Sequence, residues 1–321
     1  AVAVVALLML RDVVEYWRVP LAALSLQGND EIMRLLSVRD WLSGAQGWYE
    51  MHNARIVPPE GVSLHWSRLL DLGLAAIIVP LSWVMPMERA EGLAAILWPT
   101  FLQMLFVAVS VAGVWRLFGG LAASLTALAV MLWQTTGGSY FGPLKLDHHG
   151  AQILLLACMI FALAAEQTPR RAGILAGLAA GLSLAIGLEG LPVVGLAGLF
   201  LLAAAYFGAP DNRARLSSFA VALPLASAAF FALQTDPRLW GAAQCDALSL
   251  PFLALTAIGT GLALTQAALH RLPPLKRRLA LGLAMGVAAG LAYLALEPCF
   301  SGPYGGLPED VRALIDQTIF E

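Results

Sequence analysis

The sequence predicts an all-α polytopic membrane protein, a single bundle of about nine transmembrane helices with a long helical loop after the first. Three observations predict it. Of the 321 residues, 59% are hydrophobic and 12% charged, with a mean hydropathy of +0.76, where soluble domains carry about 25% charged residues. The apolar residues gather into runs that approach the roughly 20 residues needed to cross a bilayer. The basic residues then fall in alternate short loops, as membrane helices require. A net charge of −2 gives no reason to expect a nucleic-acid partner. The 30 glycines form no Rossmann or P-loop pattern and scatter through the apolar runs, where small residues let helices approach closely.

Taken in order, residues 1–10, AVAVVALLML, are too short to span alone. They lack a basic leader region, a cleavage motif and an initiator Met, so they do not read as a signal peptide. The expectation is that the sequence starts inside its first membrane helix and stops short after IDQTIFE. Eight further runs follow at 93–115, 119–135, 150–166, 172–187, 191–207, 218–233, 251–269 and 279–296. With the first helix they make nine, in one transmembrane domain over 1–321.

Charge orients this bundle. Arg116, Arg170, Arg171, Arg213, Arg215, Arg271, Lys276, Arg277 and Arg278 lie in alternate loops, and the intervening ones hold only Lys145 and Arg238. The positive-inside rule places the basic loops in the cytoplasm. The loops 11–92, 136–149 and 297–321 are then external, on the periplasmic or outer face of an inner or plasma membrane. Residues 72–86, LGLAAIIVPLSWVMP, are short and hold Pro80 and Pro86. They read as a half-inserted or interfacial helix inside the long loop 11–92. Upstream, Ile32, Leu35, Leu36, Trp41 and Leu42 recur at helical spacing, with Arg34, Arg39 and Asp40 elsewhere on the wheel. That pattern predicts an amphipathic helix on the membrane surface, ended by Gly44. Trp17, Trp41, Trp48, Trp66 and Trp83 suit an interfacial aromatic belt.

Three acidic clusters share the external face: Asn29-Asp30-Glu31, Asp147-His148-His149, and the tail PEDVRALIDQTIFE ending in Glu321. Carboxylates and an imidazole from separate loops suit a divalent cation, Mg²⁺ or Mn²⁺, with the imidazole favouring Mn²⁺. Each cluster also has a plainer reading. Asp30 suits a helix N-cap, the histidine pair a solvated helix entry, and Glu321 an ordinary loop acid. Lys145 reads as a phosphate ligand or an interfacial residue, and His65 as a site-lining or interfacial one. Cys158 reads as a small core residue. Cys245 and Cys299 lie in loops that face an oxidising compartment, which predicts a disulfide between them.

With these residues in place, the sequence resembles the GT-C membrane glycosyltransferases, most closely the catalytic subunit of oligosaccharyltransferase. NDEIMRL after the first helix resembles the family's acidic first-loop motif. GPLKLDHHG resembles its second acidic motif, with Asp147 at the first acid and His149 at the third position, where the family usually keeps an acid. Thr318-Ile319-Phe320-Glu321 resembles its TIxE motif. The WWD motif and soluble C-terminal domain of the family would lie beyond residue 321.

The resemblance implies inverting transfer of a sugar or oligosaccharide from a polyprenyl phosphate or pyrophosphate to an acceptor protein, lipid or glycan. It assigns the metal to Asp147, His149 and Glu321, with Asp30 shared between metal and acceptor. Thr318 would shape the acceptor side, and His148 would stand outside the site. A polyprenyl-phosphate monosaccharide transferase of the same fold is the nearest alternative. A transporter or flippase is the alternative of another class, and the absence of an internal repeat counts against it.

Overall fold

The computed structural model describes residues 28–55, 61–64, 66–135, 140–208 and 210–302, with Leu7, Leu10 and Val14 besides. Two compact units divide the chain at residues 167 and 168. In the first, α1 spans Asn29–Leu42, α2 Arg68–Ser82, α3 Met87–Phe118, α4 Gly120–Thr135 and α5 His149–Ala165. A small antiparallel pair, β1 (His52–Asn53) and β2 (Val62–Ser63), lies between α1 and α2. The second holds α6 (Pro169–Ile186), α7 (Leu191–Phe207), α8 (Pro210–Gln234), α9 (Leu250–Leu269) and α10 (Pro274–Leu296).

Each of the eight apolar runs after residue 90 coincides with one of the helices α3 to α10. Among the described residues, α3, α8, α9 and α10 are long and apolar enough to cross a membrane. The apolar stretch of α4, together with α5 and α7, is shorter. The expected first span lies outside the described residues apart from Leu7 and Leu10. The 32 residues of α3 rise about 48 Å, well beyond a ~30 Å hydrocarbon core. The 15 residues of α2 rise only about 22 Å. Segment 72–86 is therefore the end of one short helix, followed by a turn in which Pro86 caps α3.

One core joins α1, α2, the first half of α3 and the loop 140–148, through Leu35, Val38, Leu74, Ile78, Ile96 and Leu146. Gly73 on α2 lies beneath Trp98, where a Cβ would run into the indole. The orientation of α1 departs from its apolar pattern. Ile32 is 41% exposed, whereas Glu31 and Arg34 are buried beside Leu35 and Val38. Charge pairing is the reason. Arg34 donates to Asp71 at 2.9 Å, and Arg68 donates to the other oxygen of Asp71 at 3.0 Å. Arg68 also reaches Ser37 Oγ at 2.9 Å and the Glu50 carbonyl at 2.6 Å. Arg39 grips the buried Glu91 with two bonds of 2.9 and 2.6 Å. Gly44 ends the helix as expected, with φ +77° and its N–H on the Trp41 carbonyl.

In the second unit, α6 and α8 run parallel in close contact. Gly173, Gly177 and Gly181 recur every fourth residue, and a Cβ on each would strike Arg215–Phe219, Ala222–Leu223 and Ala226–Ser227 respectively. Side-chain-free backbone is what allows that approach. A disulfide joins Cys245, ahead of α9, to Cys299, just after α10, with a Cα separation of 5.3 Å. An apolar cavity of about 440 Å³ opens among α6 to α10, and Thr256 and Thr260 are its hydroxyl-bearing members.

Candidate metal centre

The loop 140–148 alternates. Leu144 and Leu146 are buried, at 5% and 0% exposure, while Lys145 and Asp147 are half-exposed. Residues 142–145 form a turn closed by the Lys145 N–H on the Gly142 carbonyl, and with Leu144 and Leu146 seated in the core Lys145 and Asp147 stay partly exposed. Leu144 has φ +71° and is the lone non-glycine with positive φ among the described residues. That conformation costs roughly 1–3 kcal/mol unless the surroundings impose it.

The surroundings do impose it. The Leu144 N–H donates to the Ala95 carbonyl at 2.9 Å. That carbonyl is open because Pro99, four residues on within α3, has no N–H to give it. A proline inside a long helix thus creates a backbone acceptor, and the loop fills it. Phe141, fully buried and stacked on Phe106 at 5.1 Å, holds the loop's other end.

His148 is the N-cap of α5, with φ −76° and ψ −19°. The Asp147 side chain folds back over this helix start. Its Oδ1 accepts from the His148 N–H at 2.6 Å, and His148 Nδ1 lies 2.6 Å from the same oxygen. His149 Nε2 stands 3.1 Å from Oδ2. Burial pushes the Asp147 carboxyl up, but the His148 hydrogen bond and the charge of both imidazoles outweigh it. The carboxyl is held well below the usual carboxylate range, and the positive end of the helix acts in the same direction. The three side chains each offer a ligand atom, all within 4.8 Å of one another. An ionised carboxylate with two imidazoles is a mixed O/N donor set of the kind that binds divalent transition metals.

This geometry brings His148 into the cluster, where the motif spacing had left it out. Its ring is 8% exposed, 4.4 Å from that of His149. Tyr140 meets His149 edge-on at 5.3 Å. Lys145, expected on the substrate side, pairs with Glu31 at 3.3 Å. Asp30 is exposed in the first turn of α1, and the capping position is Gly28, so Asp30 is not the N-cap. His65, Thr318 and Glu321 lie outside the described residues.

From sequence Glu31 is only a member of the Asn29-Asp30-Glu31 cluster, with no role of its own, because Asp30 beside it matches the motif. Its position at the third residue of α1, one turn from Arg34 on the buried face, was the available signal.

No protein-family model matches the chain, and no curated protein matches it. The crystal structure of the Archaeoglobus fulgidus oligosaccharyltransferase in its apo form superposes with a TM-score of 0.63 at 16% identity. The match covers 100% of this chain and 39% of that one. The chain therefore has a distantly oligosaccharyltransferase-like fold and spans about two fifths of that protein's length.

Proposed function

We propose that this chain is the membrane region of a GT-C glycosyltransferase, moving a sugar or oligosaccharide from a polyprenyl phosphate or pyrophosphate to an acceptor. The observation that carries the reading is the Asp147–His148–His149 cluster at the entry to α5, within a fold of this likeness. Asp147 and His149 would hold a divalent cation, Mn²⁺ or Mg²⁺, and Glu321 would complete the set. Bound there, the ion supplies Lewis acidity for a leaving phosphate.

The remaining roles belong to side chains. Asp147 stays ionised at neutral pH because both imidazoles favour its charge, so it needs no deprotonation to serve as a ligand. His148 orients that carboxylate from the helix cap. Asp30, exposed at the start of α1, orients or deprotonates the acceptor, which requires hydrogen-bond reach to the attacking group. Thr318 lines the acceptor side. The cavity of the second unit has the apolar chemistry that a polyprenyl chain needs. On this reading the metal centre is external, and the Cys245–Cys299 pair faces an oxidising compartment, where disulfides persist. Non-reducing mass spectrometry should find neither cysteine alkylatable.

The test is transfer from lipid-linked donors, both pyrophosphate oligosaccharides and phosphate monosaccharides, with Mn²⁺ and with chelator. Transfer that stops with chelator, and that Asp147→Ala or Asp30→Ala abolishes while the fold persists, supports the reading. Near wild-type turnover in Asp147→Ala would overturn the site. Donor translocation without any transfer would favour the flippase alternative.

A further inference from the structure

We infer that the Glu31–Lys145 ion pair is a positioning latch, holding the loop that bears Asp147 in register with α1, the helix that bears Asp30. The inference rests on the reading of Asp30 and Asp147 as parts of one site. Glu31 directly follows Asp30, and Lys145 stands two residues before Asp147. Their side chains meet at 3.3 Å across 114 residues of sequence.

The two partners are unequal. Glu31 is 4% exposed, whereas the Lys145 side chain is 35% exposed. An exposed pair gains little and can part freely. Removing the cation from a buried carboxylate is far more costly, so Glu31 holds Lys145 in one place. Gly28 makes the room. Its backbone is extended, φ −145°, which any residue adopts, yet a methyl group there would run into the Glu31 carboxylate.

A second tether matters because the first lies one residue away. The Leu144 N–H ties the loop to α3 through Ala95, and Leu144 and Leu146 pack it into the core, but apolar packing sets no directed bond to α1. Lys145 adds a connection at the next residue, directed to α1. Neither Glu31 nor Lys145 belongs to the three-residue cluster, so their effect runs through the placement of Asp147 and Asp30. Displacements of about 1 Å at a reacting centre cost up to a hundredfold in rate.

The experiment uses the whole chain in detergent with Glu31→Gln, Lys145→Gln, the exchanged pair Glu31→Lys with Lys145→Glu, and Gly28→Ala. Hydrogen exchange of peptide 140–149 reads the latch directly. Mn²⁺ titration by electron paramagnetic resonance and transfer kinetics read the site. Each single Gln variant should speed loop exchange about tenfold and lower kcat about tenfold, with donor KM within about threefold. The exchanged pair should recover most of both. Gly28→Ala keeps both charges and should shift exchange in the same direction, so it stands in if a Gln variant fails to fold.

Unchanged loop exchange in the Gln variants and in Gly28→Ala would overturn the latch. So would a Lys145→Gln variant whose KM rises at constant kcat with no recovery in the exchanged pair, since that pattern marks a phosphate ligand. A wild-type chain that neither binds Mn²⁺ nor transfers sugar would instead defeat the site reading, and loop exchange would still decide whether the latch exists.

Discussion

In the first unit α1 and α2 are joined through buried charges, whereas in the second α6 and α8 meet through a row of glycines. Around α1 and α2, Arg34, Arg68, Asp71 and Glu91 are each at most 2% exposed; Arg34 and Arg68 share Asp71, and Glu91 pairs with Arg39. Between α6 and α8 the contact surface is Gly173, Gly177 and Gly181 against backbone and the small side chains of Ser218, Ala222 and Ala226. The difference lies in what each contact specifies. An ion pair with directed hydrogen bonds sets the rotation of a helix, which is how Ile32 came to face outward while Arg34 turned in. A glycine stripe sets distance and tolerates nothing larger. The candidate metal centre sits in the unit whose contacts are directional.

That contrast can be broken at either end. Asp71→Ala leaves Arg34 and Arg68 buried without a counter-charge, and should cost about 3–5 kcal/mol. Denaturant unfolding in detergent reads this. Replacing all three by apolar residues of similar volume should recover much of the loss, because the charges specify geometry more than they stabilise.

In the second unit, Gly177→Ala should cost about 1–3 kcal/mol, since its methyl would strike Ala222 and the Leu223 backbone. Gly259→Ala on α9 has nothing within 4 Å, and should raise stability by about 0.5–1 kcal/mol through helix propensity. Equal effects at the two glycines would refute the close-packing account.

Pro99→Ala sharpens the comparison further, because its two effects oppose each other. The new N–H reclaims the Ala95 carbonyl for α3, so helix stability should hold or rise. The Leu144 N–H loses its acceptor, worth about 1 kcal/mol, and loop 140–149 should exchange faster. Unaltered loop exchange would show that the Ala95 bond does not restrain Leu144.

The smallest effect is in pH. A carboxyl held below its ordinary value contributes stability that is fully present above the unfolded pKa, about 3.9. That contribution is lost as pH falls toward the folded value. The stability gap between the wild-type chain and Asp147→Asn should therefore narrow as pH falls below about 4, as followed by thermal unfolding. A gap that stays constant as pH falls from about 4 to about 2 would contradict the depressed Asp147 carboxyl.

Hydrophobic runs and turn residues by themselves determined the helices α3 to α10, the stop at Gly44 and the loop that carries Asp147. Those features depend on local pattern: apolar length, glycine conformation, and leucines alternating with Lys145 and Asp147. Only the tertiary structure decided which face of α1 is buried, because the acid that turns Arg34 inward is Asp71, 37 residues away. Likewise only the fold shows Leu144 on the Ala95 carbonyl that Pro99 leaves open. His148 reads from sequence as standing outside the site, and the helix cap folds Asp147 against it. Lys145 reads from sequence as a phosphate ligand or an interfacial residue, and its partner Glu31 lies 114 residues distant. The Arg34, Leu144 and Lys145 contacts each depend on a partner far along the chain. Asp147 and His148 are instead neighbours brought together by the fold of the helix cap, and periodicity holds no information about either.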